Sequence, residues 1–338
     1  MKVQYNISLK PYNTFGIEAT TNEFVEVSTI DELVVLVNTF DFSSRKNLVI
    51  GGGSNLLLTK DFDGMVIKNS IKGMAVINED EENVWVKAMA GERWHEFVLF
   101  CIGNGYGGVE NLSLIPGCVG AAPMQNIGAY GAEIKDTFST LEAIEIETGD
   151  IVVFDNSDCK FGYRESVFKN ELKGKYIIVS VTFRLCKHPK FNITYGAIQQ
   201  TLDKNGIKDI TVKAISDAVI EIRTSKLPDP KLLGNAGSFF KNPEVPTAQF
   251  EELKQTFPSI VGYPTTLGNT KLAAGWLIEQ CGWKGKQVGN TGSHKDQALV
   301  LVNYGGATGN EVWKLAMDIQ QSVKEKFGVT ISPEVNIV

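Results

Sequence analysis

Between residues 108 and 131 the chain carries five glycines, three alanines and three side-chain amides, Asn111, Gln125 and Asn126, with no internal repeat. A packed core would want bulk at these positions. Each glycine also costs the folded state chain entropy, so a stretch this rich in small residues implies something that its backbone approaches closely. The object that fits is extended, flat and polar, and a flavin dinucleotide meets that description.

A second glycine cluster lies upstream. Asn47-Leu48-Val49-Ile50 reads as a strand that runs into Gly51-Gly52-Gly53, and a strand ending in such a turn exposes consecutive N–H groups suited to phosphate oxygens. It is not followed by the Gly-x-Gly-x-x-Gly fingerprint of dinucleotide folds, and no Gly-x-x-x-x-Gly-Lys-Ser/Thr loop occurs, so both common nucleotide folds are disfavoured. Thr29-x-x-Glu32 caps a helix through residue 37, while residues 65–68, 84–88 and 176–183 read as strands and the acidic run 79–82 as a solvated turn. Beyond Pro228 the pattern turns helical. A strand over 298–302 precedes a helix that Thr308-x-x-Glu311 caps and Gly328 stops, with Val312, Leu315, Ala316, Ile319 and Val323 on one face. A domain boundary falls near 184–190 or in Leu227-Pro228-Asp229-Pro230.

At 338 residues the chain has room for about two domains. A hydrophobic share of 43%, 21% charged residues and a mean hydropathy of −0.05 indicate a soluble globular protein, and no apolar run approaches a membrane span. Residues 1–7 lack the apolar region of a secretory signal, so a cytoplasmic location is expected. The five cysteines, Cys101, Cys118, Cys159, Cys186 and Cys281, are odd in number and widely spaced, which suggests neither a disulfide framework nor zinc. His95, His188 and His294 have no metal-ligand spacing, so no metal is expected. A net charge of −6 argues against nucleic acid. The charge is uneven: from Thr224 onward 11 lysines face 10 carboxylates, leaving −7 for the remainder.

Taken with Tyr163-Arg164-Glu165-Ser166, Lys226-Leu227-Pro228-Asp229-Pro230, the run from Gly234 through Ser238 to Pro243, and Pro333-Glu334-Val335, the two glycine segments resemble the UDP-N-acetylenolpyruvoylglucosamine reductases over nearly the whole chain. The resemblance implies an α+β fold: a bilobed FAD-binding region of the vanillyl-alcohol-oxidase type plus a smaller substrate-binding domain. The lobes would be residues 1–70, with the tail 329–338 near the active site, and 71–222, followed by the substrate domain at 223–328. It further implies a monomeric enzyme in which NADPH reduces non-covalently held FAD, and hydride then passes to the enolpyruvyl methylene carbon of UDP-N-acetylglucosamine enolpyruvate.

The resemblance carries roles to particular positions. Arg164 would hold the substrate carboxylate, Ser238 would protonate the carbon next to the new C–H bond, and Glu334 would assist at the charged intermediate. Gly51, Gly52, Gly53, Ser54 and Asn55 would lie at the FAD pyrophosphate, with Pro116, Gly117, Gly120, Ala122, Gln125, Asn126 and Gly128 along the ribityl chain and ring. Tyr195, Lys226, Asn242, Tyr263, Lys284 and Gln297 would surround the sugar nucleotide, Tyr195 on a closing loop. Alone, each would be an ordinary salt bridge, cap, core tyrosine or surface lysine. The sequence departs from the family at Asn336, where the usual ending is Pro-Glu-Val-Arg, which touches the tail's neighbouring contacts. Two other readings share parts of this pattern: an oxidase of the same fold, which would lack the combination of Ser238, Lys226 and Lys284, and a noncatalytic sugar-nucleotide sensor, which would need no proton donor.

Overall fold

The structure, a computed structural model, describes residues 1–265 and 268–338. Its elements begin with β1 (Val3–Ser8), β2 (Thr20–Val27), α1 (Ile30–Thr39), β3 (Asn47–Ile50), β4 (Leu56–Leu57), β5 (Phe62–Asn69), β6 (Met74–Glu79), β7 (Asn83–Met89) and α2 (Trp94–Gly103). They continue with β8 (Gly128–Ala129), β9 (Ala132–Glu133), β10 (Phe138–Glu145), β11 (Ile151–Asp155), β12 (Tyr176–Cys186), α3 (Gly196–Lys204) and α4 (Val212–Lys226). Last come β13 (Gly234–Ser238), β14 (Glu244–Pro246), α5 (Thr247–Thr256), β15 (Gly262–Pro264), β16 (Asn269–Leu272), α6 (Ala274–Gln280), β17 (Gln287–Val288), β18 (Thr291–Ser293), β19 (Val300–Asn303), α7 (Gly309–Phe327) and β20 (Asn336–Ile337).

The chain divides into two compact units. Unit 1 comprises Met1–Ile7, Thr21–Gly52 and Asp63–Ser225; unit 2 comprises Ser8–Thr20, Gly53–Phe62 and Lys226–Val338. Unit 1 holds a four-stranded sheet in the order β1-β2-β5-β3 and a five-stranded sheet in the order β11-β10-β12-β7-β6. Its apolar interior explains why residues 176–183 show no alternation. Ile177 and Val179 join one buried cluster, with Val25, Leu33 and Ile67, while Ile178, Val181, Phe183 and Leu185 join another with Trp94 and Phe97. Both faces of β12 are covered, and a bulge opposite Glu142/Ala143 shifts its register between the two sets.

The expected helix is α1. Thr29 Oγ1 accepts from the Glu32 N–H at 3.1 Å, and the Glu32 carboxylate accepts from the Ser28 N–H at 2.8 Å. The strand before the three glycines is β3, paired in parallel with β5. Two helices were not foreseen: α3 and α4 precede Pro228, held by a small cluster of Ile198, Leu202, Ile215, Val219 and Ile222.

Unit 2 has two sheets, β13-β19-β18-β17 and β14-β16-β15, and a short parallel pair, β20 with β4. α7 is the capped helix the sequence announces. Thr308 and Glu311 form a full capping box, the five expected apolar residues are buried, and Gly328 ends the helix at φ 65°. β19 starts two residues later than expected, because the Val300 N–H is held in a turn by the Gln297 carbonyl at 3.0 Å. Among the described residues no helix is long and apolar enough to cross a membrane.

Candidate functional site

In unit 1 the two glycine segments meet. A Cβ on Gly52 would lie 3.1 Å from the Gly117 Cα, and one on Gly51 would lie 3.0 Å from the Cys118 Cβ. The second segment is pinned from behind: the Trp94 N–H donates to the Gly117 carbonyl at 3.0 Å and the Val119 N–H to the Glu92 carbonyl at 2.8 Å. Among the described residues, the N–H groups of Gly51, Gly52, Gly117 and Cys118 donate to no protein acceptor. Backbone donors are normally paired, so uncommitted ones gathered where glycines remove the Cβ atoms form a cradle for an anionic, extended group. This is the fit FAD requires.

Downstream the chain proceeds as short 3₁₀ turns, Glu110–Leu112, Val119–Ala121 and Pro123–Gln125. Leu114, Asn126, Tyr130 and Arg164 all have positive φ, from 42° to 59°, although none is glycine. Such strain persists only where the surroundings fix it, and it concentrates at functional sites. The other cofactor candidates are placed as follows. Gly120 packs on Ala90, where a Cβ would come within 2.5 Å, and Ala122 is 1% exposed in the core. The Asn126 amide donates to Glu133 Oε2 and the Gly162 carbonyl, both at 3.0 Å, and accepts from the Lys135 N–H. Pro116 is exposed and Gln125 half-buried.

Arg164 lies over this region. Its Nη2 donates to the Gly128 carbonyl at 2.6 Å, and a Cβ on Gly128 would sit 3.1 Å from Nη1, so the glycine makes room for the guanidinium. Tyr195 precedes α3, 46% exposed, with its ring edge-on to Tyr130 at 5.2 Å. Sequence reasoning passed over Tyr130 and Arg223. Arg223 Nε donates to the Leu114 carbonyl at 3.3 Å, and burial lowers its pKa. His95 accepts from the Leu114 N–H through Nδ1 at 3.0 Å, and burial lowers its pKa also. Tyr130 stood inside the glycine-rich segment, the one signal available; Arg223, in an unforeseen helix, had none.

In unit 2 the loop after Gly52 continues through Gly53, at φ 61°, whose Cβ would meet the Tyr12 carbonyl oxygen at 1.9 Å. Ser54 and Asn55 follow, half-buried, and Asn55 Nδ2 donates to the Glu334 carbonyl at 3.3 Å. Ser238 ends β13, beyond a bulge: Asn235 pairs with Val302 and Ser238 with Val300, leaving one extra residue in β13. Gly237, at φ 71°, takes the left-handed position and donates its N–H to Asn235 Oδ1 at 3.0 Å. The bulge re-aims Ser238, and among the described residues its hydroxyl has no hydrogen-bond partner. The tail lies alongside: the Glu334 N–H donates to the Phe239 carbonyl at 2.7 Å, and Pro333 bridges Phe240. Phe239 and Phe240 are fully buried. Asn336, the departure from the family ending, donates to the Asn55 carbonyl through both its backbone and its side chain.

The sugar-nucleotide candidates in this unit fall into smaller groups. Asn242 Oδ1 accepts from the Ala274 N–H at 2.9 Å, and Gln297 Oε1 would lie 3.1 Å from a Cβ on Gly275, so both reach the first turn of α6. Tyr263, half-exposed, pairs with Lys271 across β15 and β16. Lys284 bridges Ser293 and reaches Glu279 at 3.0 Å, while Lys226 is exposed at the end of α4. All five cysteines are free thiols, and among the described residues no group of three or more His, Cys, Asp or Glu could hold a metal.

A family model described as an FAD-binding domain matches residues 22–155, the stretch that contains both glycine turns. Fold and cradle together define the class, a FAD-dependent flavoprotein. A second model, the C-terminal domain of UDP-N-acetylenolpyruvoylglucosamine reductase, matches residues 229–338. The reductase of Flavobacterium johnsoniae is 52% identical over 100% of both chains, and that of Pseudomonas putida is 48% identical over 99% of this chain and 98% of its own. The chain belongs to the UDP-N-acetylenolpyruvoylglucosamine reductase family and is a FAD-dependent oxidoreductase. The crystal structure of the Thermus caldophilus reductase aligns over 100% of this chain and 99% of its own, with TM-score 0.68 at 23% identity, which bears out the expected α+β fold.

Proposed function

We propose that the protein reduces UDP-N-acetylglucosamine enolpyruvate to UDP-N-acetylmuramate with NADPH, as a cytoplasmic monomer in the synthesis of peptidoglycan precursors. The observation that carries this reading is the Gly237 bulge, which leaves an uncommitted hydroxyl on Ser238 beside the backbone of Glu334. We read residues 1–70 with the tail and 71–222 as the flavin lobes, and 223–328 as the substrate domain.

Bound non-covalently, FAD supplies the hydride that NADPH delivers. The chain's own residues then handle the charge and the proton. Hydride arriving at the methylene carbon leaves an enolate-like charge next to the substrate carboxylate, which a fixed cation stabilises. Arg164, oriented by the Gly128 carbonyl, supplies a planar guanidinium that can bind both carboxylate oxygens. Ser238 gives its proton to the neighbouring carbon; a hydroxyl is a weak acid, but an enolate carbon is a strong base. Phe239 and Phe240 back the strand and keep water from the proton's path. Glu334 assists at the charged intermediate. Gly51 to Asn55 hold the pyrophosphate, and Pro116, Gly117, Gly120, Ala122, Gln125, Asn126 and Gly128 line the ribityl chain and ring, several through backbone alone. Tyr195, Lys226, Asn242, Tyr263, Lys284 and Gln297 bind the sugar nucleotide, the lysines as mobile point charges on the diphosphate.

The test separates the two half-reactions. Anaerobic NADPH should bleach the flavin, and added UDP-N-acetylglucosamine enolpyruvate should restore its absorbance with formation of UDP-N-acetylmuramate. Ser238→Ala should leave the first step near normal and slow the second by roughly 10²–10⁴-fold, the range for a lost general acid. An unchanged second step would remove Ser238 from the mechanism, and flavin that stays reduced until air enters would point to an oxidase.

A further inference from the structure

Lys68, on the strand next to the first glycine turn, has no role among the residues assigned above. It lies near the end of β5, directly beside Ile50 in the parallel pairing with β3, so its side chain starts level with the residue that leads into Gly51. The ammonium reaches forward and donates to the Gly51 carbonyl at 2.5 Å. Unit 1 has four half-buried lysines, and Lys169 donates to the Arg164 carbonyl at 3.2 Å. Lys87 holds Glu142 at 2.6 Å and Lys187 holds Glu79 at 2.8 Å. Lys68, equally half-buried, forms no ion pair among the described residues.

An ammonium has three donors, and a single carbonyl uses one. Drawing it partly out of water without a counter-charge is unfavourable, unless an anion arrives to share the site. The carbonyl it grips belongs to the same turn whose Gly51 and Gly52 N–H groups are uncommitted, and Gly52 faces the equally uncommitted Gly117 and Cys118. The turn thus offers uncommitted backbone donors and, on the carbonyl side of the Gly51–Gly52 peptide, a cation without a counter-charge; in a phosphate site amides supply direction and a lysine supplies charge.

We propose that Lys68 is the counter-charge for the FAD diphosphate, a binding residue additional to the glycine turns. The inference rests on the reading of this cradle as the flavin site and adds a residue to it. It implies that diphosphate, and not the isoalloxazine ring, is what Lys68 recognises.

The experiment measures affinity and not turnover. Flavin-free protein, its fold checked by circular dichroism, is titrated with FAD and with riboflavin, following flavin fluorescence at several salt concentrations. For the native protein, FAD affinity should fall as salt rises while riboflavin affinity stays flat; equal salt dependence for the two ligands would overturn the proposal without any variant. Lys68→Gln should weaken FAD at least 10-fold and leave riboflavin within about 2-fold, and Lys68→Arg should restore most of the FAD affinity. Unchanged FAD affinity in Lys68→Gln, or equal losses for both ligands, would show that Lys68 only braces the Gly51 carbonyl. A native protein that binds neither ligand would instead defeat the flavin reading itself.

Discussion

Glycines in this chain do two different jobs, and substitution tells them apart. Gly53 has no room for a side chain: its Cβ would stand 1.9 Å from the Tyr12 carbonyl oxygen, and its φ is 61°. Gly237 has the same handedness, φ 71°, but nothing within 4 Å of its Cβ. Gly53→Ala should therefore cost roughly 3 kcal/mol or more, because backbone must shift, whereas Gly237→Ala should cost only about 1–2 kcal/mol of left-handed strain. Urea unfolding monitored by tryptophan fluorescence measures both, and equal losses would refute the distinction. The sequence shows the glycines at both places and cannot separate them, since the difference lies in what a distant segment puts opposite each one. Likewise Arg164 was legible as a motif residue, but its positive φ and its grip on Gly128 were not.

At the scale of elements, local signals were readable and pairing was not. The Thr29 and Thr308 caps are written in four consecutive residues each, so both helices stand where expected. Thr308→Ala should cost the protein about 1 kcal/mol, since Thr308 Oγ1 satisfies the Glu311 N–H at the start of α7. A shift of the urea midpoint with an unchanged slope would confirm that, and no shift would mean the box is frayed in solution. The bulge before Ser238 could not be read, because nothing in residues 234–238 announces that Val300 pairs one residue later than regular alternation would place it. α4 was missed although Val212, Ile215, Val219 and Ile222 follow a helical spacing; the prolines just beyond it drew the boundary and obscured the pattern.

For the whole molecule, the family-level motifs were the most legible feature, and the interleaving of the two compact units the least. The cradle of unit 1 predicts a ligand effect on global stability. FAD at 100 times its dissociation constant should stabilise the folded protein by about 2.7 kcal/mol, provided the unfolded chain does not bind it. Thermal unfolding with and without FAD tests this, and a midpoint indifferent to FAD would contradict the flavin assignment. No sequence pattern marked Ser8–Thr20 and Gly53–Phe62 as members of the unit that contains residues 226–338. Their membership depends on pairings such as the Asn235 N–H with the Thr14 carbonyl and the Thr59 N–H with the Val338 carbonyl.

That interleaving bears on how the protein is made. Thr59 and Val338 are bonded across a separation of 279 residues. At ribosomal speeds of about 5–20 residues per second, Thr59 emerges on the order of 15 to 60 s before its partner exists. Unit 1 has all its strands once residue 186 has been synthesised, so its sheets can close while translation continues. Leu56–Leu57 and the loop around Phe15 must meanwhile wait with apolar side chains uncovered. In a living cell, the vulnerable interval for this chain runs from the synthesis of residue 186 to that of Val338, when a chaperone has most to protect.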